Sequence, residues 1–142
     1  MTPVTAPEPI RVRLLDELLR TAMLIRRHIE AVAAERSLTP PQARLLVRLD
    51  APMRMQEAAH ASACEPSHVT ALATQLEERG LVVREADPDD RRARRLSLTE
   101  AGEAERAELL ARLLDDAPVA SRLGDAECDV LLRLLQEPDT GR

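Results

Sequence analysis

Residues 66–99 read PSHVTALATQLEERGLVVREADPDDRRARRLSLT, and a change of period inside this stretch decides the fold. Up to Arg79 the apolar side chains Val69, Leu72, Ala73 and Leu76 recur at i, i+3, i+4 and i+7, the spacing of one helical face. Gly80 stands where a helix ends on a left-handed C′ residue. Beyond it Leu81-Val82-Val83 reads as a strand, and Leu96 and Leu98 alternate with Ser97 and Thr99 in a second. Between them Asp87-Pro88-Asp89-Asp90 is turn chemistry. The stretch therefore predicts a helix starting at Pro66 and then a hairpin with a charged tip.

Working outward, a short helix over about Gln56 to Ser62 precedes this one across Ala63-Cys64-Glu65. Met53 and Met55 flank the segment before it and read as core filling. Thr39-Pro40-Pro41-Gln42 has the form of a capping box, with Pro40 where a missing amide hydrogen costs nothing. It opens a helix through Leu45, Leu46 and Leu49 that stops before Pro52. Residues 10–36 place Leu15, Leu18, Leu19, Ala22, Ile25, Ile29, Val32 and Ala33 at three- and four-residue steps, which is one long amphipathic helix. Thr99 caps a helix carrying Leu109, Leu110, Leu113 and Leu114. After a break at Pro118 to Gly124, a last helix carries Val130, Leu131, Leu134 and Leu135 and ends at Pro138.

Two short helices followed by a charged hairpin describe a winged helix-turn-helix, residues 37–99. The fold class is mainly α with a small β-hairpin wing (α+β). The helices at 10–36 and 100–138 are too apolar to stand alone and read as a dimerisation region. Residues 1–9, with three prolines and no periodic face, read as a disordered tail.

Composition narrows the chemistry. The 142 residues include 20 basic and 25 acidic side chains, a net charge of -5, and no Phe, Trp or Tyr. Every cation is Arg, and there is no Asn. A catalytic Lys, a tyrosyl acid and a base-stacking aromatic platform are excluded. Each basic contact can instead be bidentate to a phosphate or a guanine edge. The negative balance excludes a polybasic coat but not a small basic patch. Two cysteines outside any C-x-x-C pair give no disulfide scaffold, no run is long enough to cross a bilayer, and the N-terminus has no signal-peptide pattern. The expectation is a soluble cytoplasmic protein.

Five fragments, in order and at the right spacing, resemble the MarR family of bacterial regulators. They are Leu38-Thr39-Pro40-Pro41-Gln42, Val69-Thr70, Leu76 to Val82, Asp87 to Ala93, and Leu98-Thr99-Glu100-Ala101-Gly102. The resemblance covers residues 38–102. It implies a homodimeric, sequence-specific DNA-binding transcription regulator, a ligand-responsive repressor, acting on a pseudo-palindromic operator in double-stranded DNA. It makes the helix starting at Pro66 the recognition helix, which presents Ser67, His68, Thr70, Ala71, Thr74 and Gln75. Of these, Gln75 can read adenine bidentately, Thr can meet a thymine methyl, and Ser67 or His68 can donate to phosphate or a base. Ala71 departs from the family, which often has Arg there.

In the wing the resemblance assigns Asp90, Arg91 and Arg92 to the hairpin tip, with Arg92 entering the minor groove and Asp90 fixing the loop by pairing with a neighbouring Arg. Arg94 and Arg95 complete four cations in five residues. Over residues 77–95, however, six Arg face six acids, so a basic patch requires the acids to be turned away. Segment 53–55 corresponds to a short strand in relatives. Relatives also bind small apolar or phenolic effectors in a cleft, which here would use Arg26 or Arg44.

The remaining reactive residues read more plainly. Cys64 is a small core residue, or alternatively a redox thiol; Cys128 belongs to interface packing. His28, His60 and His68 are scattered without metal-ligand spacing, and no cofactor motif or nucleophile–base pair is present. An enzyme is not expected. The alternative reading, motivated by Ala71 and the acidic balance, is a helical dimer that retains the fold and acts through protein partners without binding DNA.

Overall fold

The computed structural model describes residues 8–61 and 66–136. Its elements are α1 (Ile10–Glu35), α2 (Pro40–Arg48), β1 (Met53–Arg54), α3 (Met55–Ala61), α4 (Pro66–Glu78), β2 (Val82–Ala86), β3 (Arg94–Leu98), α5 (Glu100–Leu114), a 3-10 turn (Ala120–Arg122) and α6 (Asp125–Gln136). The strands form one antiparallel sheet in the order β1-β3-β2, with Met53 opposite Leu96 and Arg54 opposite Arg95 on one side of β3. On its other side Val82 faces Leu98 and Glu85 faces Arg95. This is a winged helix fold, mostly helical with a small three-stranded sheet. The expected tail lies outside the described residues except for Glu8 and Pro9, and Cys64 with its neighbours 62, 63 and 65 lies outside them entirely.

Local chemistry sets the boundaries. Thr39 Oγ1 accepts from the Gln42 amide at 3.3 Å and the Thr39 amide donates to Gln42 Oε1 at 3.0 Å, so the capping box is complete. At the end of α4 the Gly80 and Leu81 amides donate to the carbonyls of Glu77 and Leu76, a Schellman closure that needs the positive φ of 72° at Gly80. Thr99 ties the hairpin's base to the next helix. Its hydroxyl donates to the Gly80 carbonyl at 2.6 Å and accepts from the Gly102 amide at 3.0 Å, while its own amide donates to the Leu81 carbonyl. Gly102 is required by closeness: a Cβ there would lie 1.9 Å from the Leu81 oxygen.

The chain divides at His28/Ile29 and at Leu113/Leu114. Ile29–Leu113 forms one unit, and the other described residues form the second. The first unit holds the buried core, in which Leu45, Leu46, Leu76, Leu96 and Leu109 are fully enclosed and Met53 and Met55 pack from the edge. Three ion pairs tie the end of α1 and the residue after it to α5 inside it. Arg36 reaches Glu105 and Glu108, each at 2.7 Å, and Arg112 reaches Glu35 at 3.0 Å. The guanidinium of Arg36 holds the Glu105 carboxyl below its usual range. In the second unit no residue of α6 is buried, and Val130, Leu131, Leu134 and Leu135 are exposed, as are Ile10, Leu15, Leu18 and Leu19 on α1.

Candidate nucleic-acid interface

The recognition helix candidate is α4. Val69, Leu72, Ala73 and Leu76 bury one side of it, which leaves Ser67, His68, Thr70, Ala71 and Gln75 exposed on the other. Thr74, predicted with them, is instead half-buried and committed to the hairpin. Its hydroxyl donates to the Thr70 carbonyl and accepts from Arg84 Nη2, both at 3.0 Å. The same Arg84 nitrogen bonds Glu77 at 3.2 Å and lowers the carboxyl's pKa. Gln75 is likewise held from within the unit, because its Oε1 accepts from Gln42 Nε2 at 2.9 Å.

The hairpin resolves the balance of six acids against six cations. Glu77 is paired with Arg84, Glu85 with Arg95 at 3.6 Å across the strands, and Asp87 with Arg54 at 2.6 Å. Among the described residues, Arg91, Arg92 and Arg94 have no such partner and are all exposed. The wing therefore ends in three guanidinium groups outside any ion pair, which share the exposed tip with the carboxylates of Asp89 and Asp90. Arg95, predicted with these three, is not brought together with them. It is half-buried against Glu85, and its Nε is enclosed without a hydrogen-bond partner.

The loop is fixed differently from the expectation for Asp90. Asp90 Oδ1 accepts from the Arg92 backbone amide at 3.0 Å, a local turn bond, and among the described residues no guanidinium forms an ion pair with it. The carboxylate that takes an arginine is Asp87, which accepts from Arg54 Nε and from the Asp89 amide at 2.8 Å. The reason is position. Asp87 follows directly after β2 and is buried, within reach of β1, whereas Asp90 sits at the exposed tip. The Asp89 amide and then Arg54 hold the Asp87 carboxyl below its ordinary value.

No functional role for Arg54 or Arg84 is readable from the sequence, and Gln42 enters there only as the capping-box partner of Thr39. Arg54 lines a cleft of about 410 Å³ with Gln56, Asp90, Arg92 and Arg94, so a fourth guanidinium adjoins those of the wing. The only sequence signal for it is an Arg between two partly buried methionines, which is the alternation of a strand too short to score. Arg26 and Arg44 are exposed, belong to different units, and line none of the cavities described here. Among the described residues no cluster of His, Cys, Asp or Glu could hold a metal ion, and no helix is long and apolar enough to cross a membrane.

A family model described as the MarR family matches residues 38–93, the span from the α2 cap to the end of the wing loop. The chain belongs to the MarR family. Its fold is that of AbsC, a MarR family transcriptional regulator from Streptomyces coelicolor, with a TM-score of 0.76 at 22% identity over 94% of each chain. CouR from Rhodococcus jostii, solved with p-coumaroyl-CoA bound, gives a TM-score of 0.77 at 25% identity over 92% of this chain and 94% of its own. A probable transcriptional regulator from Pseudomonas aeruginosa is 30% identical over 86% of this chain and 96% of its own, with a TM-score of 0.64. No curated protein sequence matches. MarR proteins are regulators of transcription rather than enzymes.

Proposed function

We propose that the protein is a homodimeric, sequence-specific DNA-binding repressor whose two winged units occupy the half-sites of a pseudo-palindromic operator. The observation that carries this reading is the segregation of charge in the wing. Three carboxylates are each paired with an arginine of the sheet (Arg54, Arg84 and Arg95), and Arg91, Arg92 and Arg94 are left open at the tip. A folded acidic protein gains nothing in stability from unpaired cations on a protruding loop, whereas a polyanion gains three contacts. The exposed polar face of α4 supplies the groups that can meet base edges in the major groove. Half-sites roughly 10 base pairs apart follow from two-fold symmetry.

Dimerisation is supported by the exposed leucines of α1 and α6. Those of α6 border a groove of about 500 Å³ lined by Val119, Leu123, Val130, Leu131 and Leu134, and the exposed apolar faces of the two helices call for a covering partner. A second copy presents the same surface, which is what an isologous interface requires. Control by a small apolar or phenolic effector is proposed by analogy with CouR, which binds an aromatic acyl thioester. Such a molecule need only favour a dimer whose wings misfit the half-sites.

Mobility shift with fragments of the source genome tests the reading. Retardation of a fragment carrying an inverted repeat, by a species sized as a dimer in light scattering, is expected. Failure to retard any fragment at low salt, or a monomer at micromolar concentration, refutes it.

A further inference from the structure

We infer that Gln42, on α2, is the positioning residue that decides which bases Gln75 accepts; this rests on the DNA-binding reading above. Gln42 is only 8% exposed and occupies the third position of α2. Its orientation follows from chemistry. The Thr39 backbone N–H is a donor, only an oxygen can meet it, and so Oε1 faces Thr39. The amide nitrogen of Gln42 then faces the other way, where it donates to Gln75 at 2.9 Å. Only a carbonyl can accept there. The amide of an exposed glutamine that otherwise turns freely is thereby fixed, with its oxygen toward buried Gln42 and its NH2 left for the exposed side.

An amide held this way offers donors to the major groove. Guanine O6 and N7, thymine O4 and adenine N7 all accept from it, whereas cytosine presents only its N4 amine, a donor, and meets no acceptor. The bidentate contact with adenine that an unrestrained Gln makes also requires the carbonyl, and here that oxygen is turned toward α2 with one lone pair already taken. Gln42 therefore turns Gln75 from a bidentate adenine reader into a donor that discriminates against cytosine, without approaching DNA itself.

The test begins with random-sequence duplexes selected on the full-length protein, which yield a consensus probe. The position at which Gln75→Ala becomes indifferent to the base marks the contact. Anisotropy competition among the four base pairs at that position is expected to disfavour cytosine on the contacted strand by on the order of five- to tenfold. Gln42→Glu is the decisive variant. A Glu side chain still accepts from the Thr39 amide, and Glu is an ordinary partner at this place in a capping box, so α2 keeps its start. Its second oxygen replaces the donor that faced Gln75 and can be met only by the NH2 of Gln75. The amide turns over, its carbonyl faces the groove, and preference passes to adenine or cytosine.

A merely structural role for Gln42 would weaken all four duplexes alike. Should Gln42→Glu not fold, Gln42→Met decides, because it frees the amide, whose bidentate contact then favours adenine. The inference is overturned if the preference is unchanged in whichever variant folds. It is equally overturned if wild type selects cytosine, or if no position becomes indifferent in Gln75→Ala. Failure to enrich any sequence refutes the DNA-binding reading itself and takes this inference with it, whereas an enriched consensus read identically by the Gln42 variants refutes this inference alone.

Discussion

Replacing Arg91, Arg92 and Arg94 together with Ala should flatten the salt dependence of DNA binding, and replacing Arg95 or Arg84 should not. The difference lies in pairing. Arg84 and Arg95 already have carboxylate partners at 3.2 and 3.6 Å, so neither is an uncompensated cation for phosphates. Each cation that neutralises a phosphate contributes about 0.9 to the slope of log affinity against log salt concentration. Three open guanidinium groups per wing and two wings per dimer set the largest change in slope at roughly 5. Between 50 and 200 mM salt that corresponds to on the order of a thousandfold in affinity, lost by wild type and spared in the triple variant. Fluorescence anisotropy of a labelled consensus duplex across that salt range measures it. The reasoning fails if Arg95→Ala flattens the slope as much as the tip variant does, or if the tip variant leaves it unchanged.

Two predictions concern stability. Gly102→Ala drives a methyl to within 1.9 Å of the Leu81 carbonyl oxygen, which also accepts from the Thr99 amide. Overpacking together with a broken backbone bond should cost about 3 kcal/mol, read as a lower denaturant midpoint, and a loss under about 1 kcal/mol would show that the helix start gives way easily. The carboxyls of Glu77, Asp87 and Glu105 all titrate below their ordinary values in the folded chain. Between each lowered value and the ordinary one the unfolded chain binds more protons, so stability rises with pH through that window and is fully present above it. The denaturant midpoint should stay level from pH 7 to about 5 and then fall with further acidification; a midpoint that rises on acidification contradicts the assignment.

Much of the fold was legible because its punctuation is local. The Thr39–Gln42 box, the Gly80 terminus and the Thr99 cap each involve residues within a few positions of one another, so their chemistry can be read from a short string. The open Arg91 and Arg92 were legible for the same reason, as cations in a turn. What escaped depends on which strand lies beside which. Arg54 meets Asp87, and Gln42 meets Gln75, each across 33 positions. No period or motif announces a partner at that distance. Arg95 was grouped with its neighbours because adjacency in sequence conceals the alternation of a strand, which turns it toward Glu85. The arginine partner expected for Asp90 belongs to Asp87 for a similar reason, since Pro88 and Asp89 separate buried Asp87 at the strand end from the open tip.

The knot of Gly80, Leu81, Thr99 and Gly102 gives the wing a fulcrum. Both strands of the hairpin start from the same few hydrogen bonds, and those bonds belong equally to the first turn of α5. Five residues of strand project roughly 17 Å from that point. A tilt of about 5° at the base would swing the far end by roughly 1.5 Å, enough to stretch an ordinary hydrogen bond past breaking. A small rotation of α5 is thus magnified at the arginines, and a modest torque applied far from the groove would suffice to loosen the grip on it.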